Sequence, residues 1–185
     1  MKLLAVFSSL AAVALAAHFS VPVSNDVGLV YTNILCGDYP CGITNLSGQK
    51  SYMAFSGNRD IRRILMSFSV PDDVDEESIT SCKLRMPQPI TSDNASKSSY
   101  VLAVYPVTEE YDAKTVTPIT APPIGDIIGS TKATDDVAPL EIDVTDACKN
   151  LINGNVQLLI SASGGPVNFS SSWGGDAAEL VIATE

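Results

Sequence analysis

The sequence predicts an all-β fold: a single antiparallel β-sandwich, jelly-roll-like, with at most one or two short helical turns. Three observations carry that prediction. Short β-rich runs separated by turn residues recur along the chain, and helical periodicity is scarce. Ile64, Met66, Phe68 and Val70 alternate with Leu65, Ser67 and Ser69, a period of two that gives a strand one buried face. Cys82, Leu84 and Met86 alternate in the same way with Lys83 and Arg85. The chain's 185 residues suffice for one domain with a sizeable core. Apolar residues make up 45% of it and are spread throughout, which excludes a disordered chain.

The first element in order is a secretory leader, residues 1–17. Lys2 supplies a positive start, Leu3–Ala17 is apolar except for Ser8 and Ser9, and Ala14-Leu15-Ala16 offers the small residues of a cleavage site. Cleavage before Ala17 and cleavage before His18 both fit. As a helix the run would extend about 22 Å, short of the ~30 Å of bilayer hydrocarbon, so it is not read as an anchor. The β-sandwich domain then occupies residues 18–185. No second apolar stretch of spanning length follows, and Glu179–Glu185 lacks the hydrophobic tail of a GPI signal. A secreted, soluble, monomeric product with no membrane contact is expected, placed outside the cell or in the cell wall.

Strands follow. Leu29–Thr32 and Tyr52–Phe55 are β-rich, and Ile64–Val70 is stopped by Pro71-Asp72-Asp73. Ile79–Met86 ends at Pro87 and Pro89. Ser92–Ser99 is polar and loop-like, and Tyr100–Val107 is strongly β-forming. Thr108–Pro139, rich in Pro, Thr, Gly and Asp, is expected to wind over the surface with short strand pieces. Leu140–Val144 is a strand, and Thr145–Ile152 one or two helical turns with Thr145 as N-cap. Asn153-Gly154-Asn155 is a turn. Val156–Ser161, Asn168–Trp173 and Glu179–Ala183 complete the set.

Four cysteines in an exported chain imply two disulfides and admit three connectivities. Cys36 and Cys41 flank Gly and Pro turn residues and could close a small loop. That leaves Cys82 with Cys148, a long-range staple worth about 4 kcal/mol in the chain-entropy treatment. Zinc thiolate pairs usually stand roughly two to four residues apart, and Cys82 and Cys148 have no thiol or imidazole near them in sequence. Asn45, Asn94 and Asn168 head N-glycosylation sequons, each placing its Asn on an exposed segment if used.

The charge balance, 11 basic against 21 acidic residues for a net −10, has no basic run in it, so nucleic acid is a poor partner. Removal of the leader also removes Lys2 and leaves the product one charge more acidic. His18 is the only histidine. A copper brace of two imidazoles therefore lacks a member, and no catalytic residue is assigned. The acidic run Asp72–Glu77 lacks the Gly and the terminal Glu of an EF-hand loop and reads as solvated. Asp143, Asp146 and Asp38 are weak candidates for a structural calcium. Local backbone hydrogen bonding is the commoner role of such residues, and no other cofactor is expected.

The order of these pieces resembles the DNRLRE-type β-sandwich domain, also described as carbohydrate-binding module family 96, from about Val27 to Thr184. Residues 64–71 (Ile64 to Pro71) are similar to that family's LLRFDLS-type strand, and residues 79–86 (Ile79 to Met86) to its I-x-S-A-x-L-R-L strand. Val104–Thr108, Thr115-Val116-Thr117 and Ala121-Pro122 resemble its V-x-x-W … T-V-T-W … P segment. Ile142-Asp143-Val144-Thr145 matches its DVT element. Phe169-Ser170-Ser171 and Leu180-Val181-Ile182 resemble its closing strands. Ser67 and Ser69 replace the family's usual Arg and Asp, and Tyr111 and Pro118 stand near its expected tryptophans. The resemblance implies a sugar-binding module.

Sugar binding needs exposed aromatic faces together with polar groups for the hydroxyls. Trp173, the only tryptophan, precedes Gly174-Gly175-Asp176 and is the first candidate. Tyr39, Tyr105 and Tyr111 are the others, while Tyr100 and Phe68 are read as core. The expected function is a non-catalytic carbohydrate-binding protein for extracellular or cell-wall polysaccharide. A structural wall protein or effector with a protein partner is the alternative. The acidic balance favours a neutral glycan over a polyanionic one.

Overall fold

The computed structural model describes residues 17–36, 39–91, 98–139 and 141–185, with backbone alone for those of them within 33–43. The leader residues 1–16, Asp38 and the Asn94 sequon lie outside the described residues.

Twelve strands are described, and every pairing between them is antiparallel. They are β1 (Ala17–Pro22), β2 (Asn25–Cys36), β3 (Tyr39–Asn45), β4 (Ser51–Ser56), β5 (Asp60–Ser69), β6 (Ile79–Arg85), β7 (Ser99–Pro106), β8 (Gly129–Thr134), β9 (Ile142–Asp143), β10 (Asn155–Ser163), β11 (Val167–Ser170) and β12 (Glu179–Thr184). A small sheet has the order β1-β12-β6-β9. In the large sheet β10 pairs with residues 64–69 of β5, and β4 pairs with Arg62 and Ile61 of the same strand. β2 pairs with residues 60–67 of β5. That span overlaps both other registers, so β2 takes the opposite edge of β5, with β3 beyond it. β7 and β8 extend the sheet past β10, and β11 extends it past β4.

The two sheets close on one another through the expected alternation. Ile64, Met66 and Phe68 of the large sheet share a core with Cys82, Leu84, Leu180 and Ile182 of the small one. The expected single buried face of β5 needs correction at Leu65, which is fully buried on the opposite face. There it joins Val27, Leu29 and Leu159 in a second core, covered by Val107, Ala113 and Val116 from the segment after β7. That segment is therefore a lid over the outer face of the large sheet as well as a surface winding. Asp112 shapes it by accepting from Lys114 N and Thr115 Oγ1. Asn45 staples it to β3, donating through Nδ2 to Ala113 O and Val116 O at 2.8 and 2.6 Å.

The helical turns are shorter than expected. A single 3-10 turn spans Glu76–Ser78, capped by Asp75, and α1 covers only Thr145–Cys148. Thr145 is not its N-cap. It is the first helical residue, and its N and Oγ1 both donate to Asp143 Oδ1 at 2.9 and 2.7 Å. Cys148 at the end of α1 is bonded to Cys82 of β6. Pairing of Cys36 with Cys41 lies outside the described side chains. Asn153 and Gly154 adopt positive φ in the expected turn before β10. Gly129 sits where β8 meets β9 across the sandwich edge: a Cβ there would stand 2.3 Å from Ile142 Cγ2, so only glycine admits the approach.

Candidate carbohydrate-binding site

Trp173 lies in a loop, not within the expected strand, because pairing of β11 stops at Ser170. The loop is locked from beneath. Ser171 is fully buried; its N donates to Lys50 O and its Oγ to Gln49 O. Ser172 donates through N and Oγ to the two carboxylate oxygens of Asp26, at 2.7 and 2.6 Å. Trp173 N donates to Ser171 Oγ, and Gly174 N to Ser171 O. A Cβ at Gly174 would lie 2.4 Å from Lys50 O, so the chain passes there only as glycine. Every one of these bonds holds backbone or a short side chain, and the indole is left 66% exposed. A rigid, open aromatic face loses little entropy when a ring stacks on it.

Asp26 is the buried anchor of this arrangement. Burial raises its pKa, and the two Ser172 bonds work in the opposite direction. Burial, helped by the Asp26 charge, also pushes the Tyr52 phenol up to about 12. Past Trp173, Gly175 and Asp176 form one wall of a cleft of about 320 Å³ whose opposite side carries Arg85 and Glu179. Arg85 bridges Glu141 and Glu179 at 2.6 and 2.5 Å, and Ser20 donates to Glu179. Asp176, on the same loop as Trp173, and Arg85 and Glu179 on neighbouring strands thus offer polar groups for hydroxyls.

The other expected aromatics have different positions. Tyr105 and Tyr111 are partly buried and pack on the second core under the lid. The Tyr111 hydroxyl is sealed from water without a partner, and burial pushes its pKa far up. The Tyr39 side chain is outside the described residues. Asp143 is engaged by Thr145, which holds its carboxyl below the usual range, while Asp146 is exposed. Among the described residues no three His, Cys, Asp or Glu gather to hold a metal ion. The Asn45 amide uses both Nδ2 hydrogens on the lid, one of which a glycan would replace. Asn168 is half-buried in β11.

One pocket escaped the sequence reading. Tyr31 (38% exposed) and Arg63 line a hollow of about 140 Å³ between β2, β5 and Pro118 of the lid. Arg63 Nε is buried with no partner, and no described residue forms an ion pair with its guanidinium. Leaving donors of a cation unsatisfied is costly, and a sugar oxygen would offset the cost. Register alone, Leu29 opposite Arg63 and Tyr31 opposite Ile61, could have flagged the pair. The register was not visible before β2 was placed.

Comparison of the chain with curated proteins returns no match. The family model described as carbohydrate-binding module family 96 matches residues 44–184. That span runs from the end of β3 to the last residue of β12 and takes in the Trp173 loop, the lid and most of both sheets. An antiparallel sandwich with an open aromatic face on a locked loop is a structure suited to holding sugar, and with more than half of its length matched the chain belongs to carbohydrate-binding module family 96.

Proposed function

We propose that this is an exported, non-catalytic protein that binds extracellular or cell-wall polysaccharide by stacking a sugar ring on Trp173. The observation that carries the reading is the 66% exposed indole on a loop fixed by buried Asp26 and Ser171. Export is supported by the apolar run of residues 1–17, which reads as a leader, and by the Cys82–Cys148 disulfide, which suits an oxidising compartment. A non-catalytic role is supported by the family model, which describes a carbohydrate-binding module.

Trp173→Ala tests the reading directly. A polysaccharide pull-down with neutral glucan, mannan and chitin should retain the wild-type protein on at least one of them. The variant, folded to the same melting temperature, should lose roughly tenfold or more in affinity. Equal retention of the two proteins, or no glycan bound by either, would overturn it. Tight capture of a protein partner with no glycan bound would favour the wall-protein or effector alternative.

Arg63 favours a second reading for one class of ligand. Its Nε, without a partner among the described residues and in the hollow that Tyr31 also lines, suits a carboxylated sugar, against the repulsion expected from a net charge of −10. Binding of a polyuronate without added metal, abolished by Arg63→Gln, would establish that preference.

A further inference from the structure

We infer that a second ligand groove lies at the α1 end of the sandwich and takes an amino-sugar unit. A cleft of about 450 Å³ opens between the end of β7, α1 and β10, within the range of small-ligand sites. A second cleft, of about 380 Å³, runs along β9 and the start of α1. They share Ile128 and Asp146, so Asp146 stands at their junction.

The groove is rigid where its polar groups stand. α1 is bolted to β6 by the Cys82–Cys148 disulfide, and Cys82 N donates to Thr145 Oγ1 at 2.9 Å. Asp143 spends its carboxylate on Thr145, as shown above. Asp146 does not: no described residue bonds or pairs with its carboxylate. Gln157, only 6% exposed, also lines the larger cleft, and its Oε1 has no hydrogen-bond partner among the described residues. An orphaned buried amide oxygen costs about 1–3 kcal/mol. A turn of the amide towards the groove would let a ligand donor recover that cost.

The unspent polar capacity of Asp146 and Gln157 Oε1 is therefore all acceptor. None of the lining residues of either cleft is Lys, Arg or His, and the nearby Lys83 acts on Asp143. Pro106, Val107, Ile128, Ala147 and Ile152 make the walls apolar. A ligand matching these features presents a C–H face to the walls and donors, one of them cationic, to Asp146 and Gln157. Among sugars, a hexosamine with a free ammonium group has that combination. The choice of a sugar over a lysine side chain rests on family membership, not on the Trp173 reading.

The test is calorimetric titration of glucosamine oligosaccharides into the whole exported chain at mildly acidic pH. The titration is made in the Trp173→Ala background, which removes the aromatic site from the readout; saturable binding is expected there, and adding Asp146→Asn or Gln157→Leu should weaken it roughly tenfold or more. The same oligosaccharides N-acetylated should bind at least tenfold more weakly. Asp146 is exposed and its substitution leaves packing intact; a thermal melt of each variant separates lost binding from lost fold. Absence of saturable binding, equal binding of the N-acetylated series, or insensitivity to both groove variants would overturn the inference. Equal competition by lysine oligomers would overturn the sugar assignment. Failure of Trp173→Ala to weaken glucan retention would leave this groove standing.

Discussion

Asp26 shows how one side chain connects folding to the exposed site. It is 1% exposed, and its carboxylate accepts both Ser172 donors. Asp26→Ala should cost about 1–3 kcal/mol by leaving those donors unsatisfied. It should also loosen Trp173, read as lower indole fluorescence anisotropy and faster amide exchange at Ser172. The pH behaviour has a definite sign. Because the folded carboxyl holds its proton above the ordinary 3.8, its contribution is fully present below that value and is lost as pH rises through the folded pKa. Urea midpoints of Asp26→Asn across this window should lack the decline that the wild type shows there. None of this was legible from sequence, where Asp26 is one of 21 acidic residues. Trp173, in contrast, was legible as a single tryptophan before two glycines.

The elements divide by how local their cause is. β5, β6, β7, β10 and β12 were visible because alternation over several residues gives a strand its buried face, and each forms within a few residues of its expected ends. β8, reading Gly-Ser-Thr-Lys-Ala-Thr, carries no such signal. It is a strand because β7 offers a free edge for it to pair with and because Gly129 lets it approach Ile142. The burial under the lid was not visible in the sequence for a related reason. Val107, Ala113 and Val116 are isolated apolar residues in a polar stretch, and only the outer face of β5 and β10 gives them something to cover. At this scale the disulfide yields a clear expectation. It closes a separation of 66 residues between β6 and α1, so Cys82→Ser with Cys148→Ser should lower stability by roughly 2–5 kcal/mol. The denaturant midpoint measures the loss. Amide exchange should rise first in α1, since its four residues cannot hold a helix alone.

For the whole molecule, two cores back to back on one sheet have a consequence at alkaline pH. Burial pushes the Tyr52 and Tyr100 phenols up to about 12, and Tyr111 further. Tyr52 and Tyr100 belong to the inter-sheet core, while Tyr111 lies under the lid. A folded pKa above the ordinary 10.0 means that the folded state keeps protons which the unfolded chain releases. Stability from these groups is complete below pH 10.0 and falls as pH rises through about 12. A tyrosinate absorbance titration should therefore show a late wave coincident with loss of the β-sheet circular dichroism. A wave that finishes with the sheet signal intact would contradict the burial of these rings.

By itself the sequence determined the class of this protein: alternation specifies paired strands, cysteine spacing admits one long staple, and the absence of a second imidazole or a basic run limits the chemistry. Which aromatic ring stays open was decided only by the tertiary structure. Trp173 stands first among the candidates along the chain, with Tyr105 and Tyr111 beside it, but exposure is a property of what else packs against a ring. The lid packs over the first two, and the bonds that Ser172 donates to Asp26 and Ser171 to Gln49 fix the loop that leaves the third exposed. The same holds for Arg63 and Gln157, whose unpaired groups exist because partners far apart in sequence close around them and leave one donor or acceptor over.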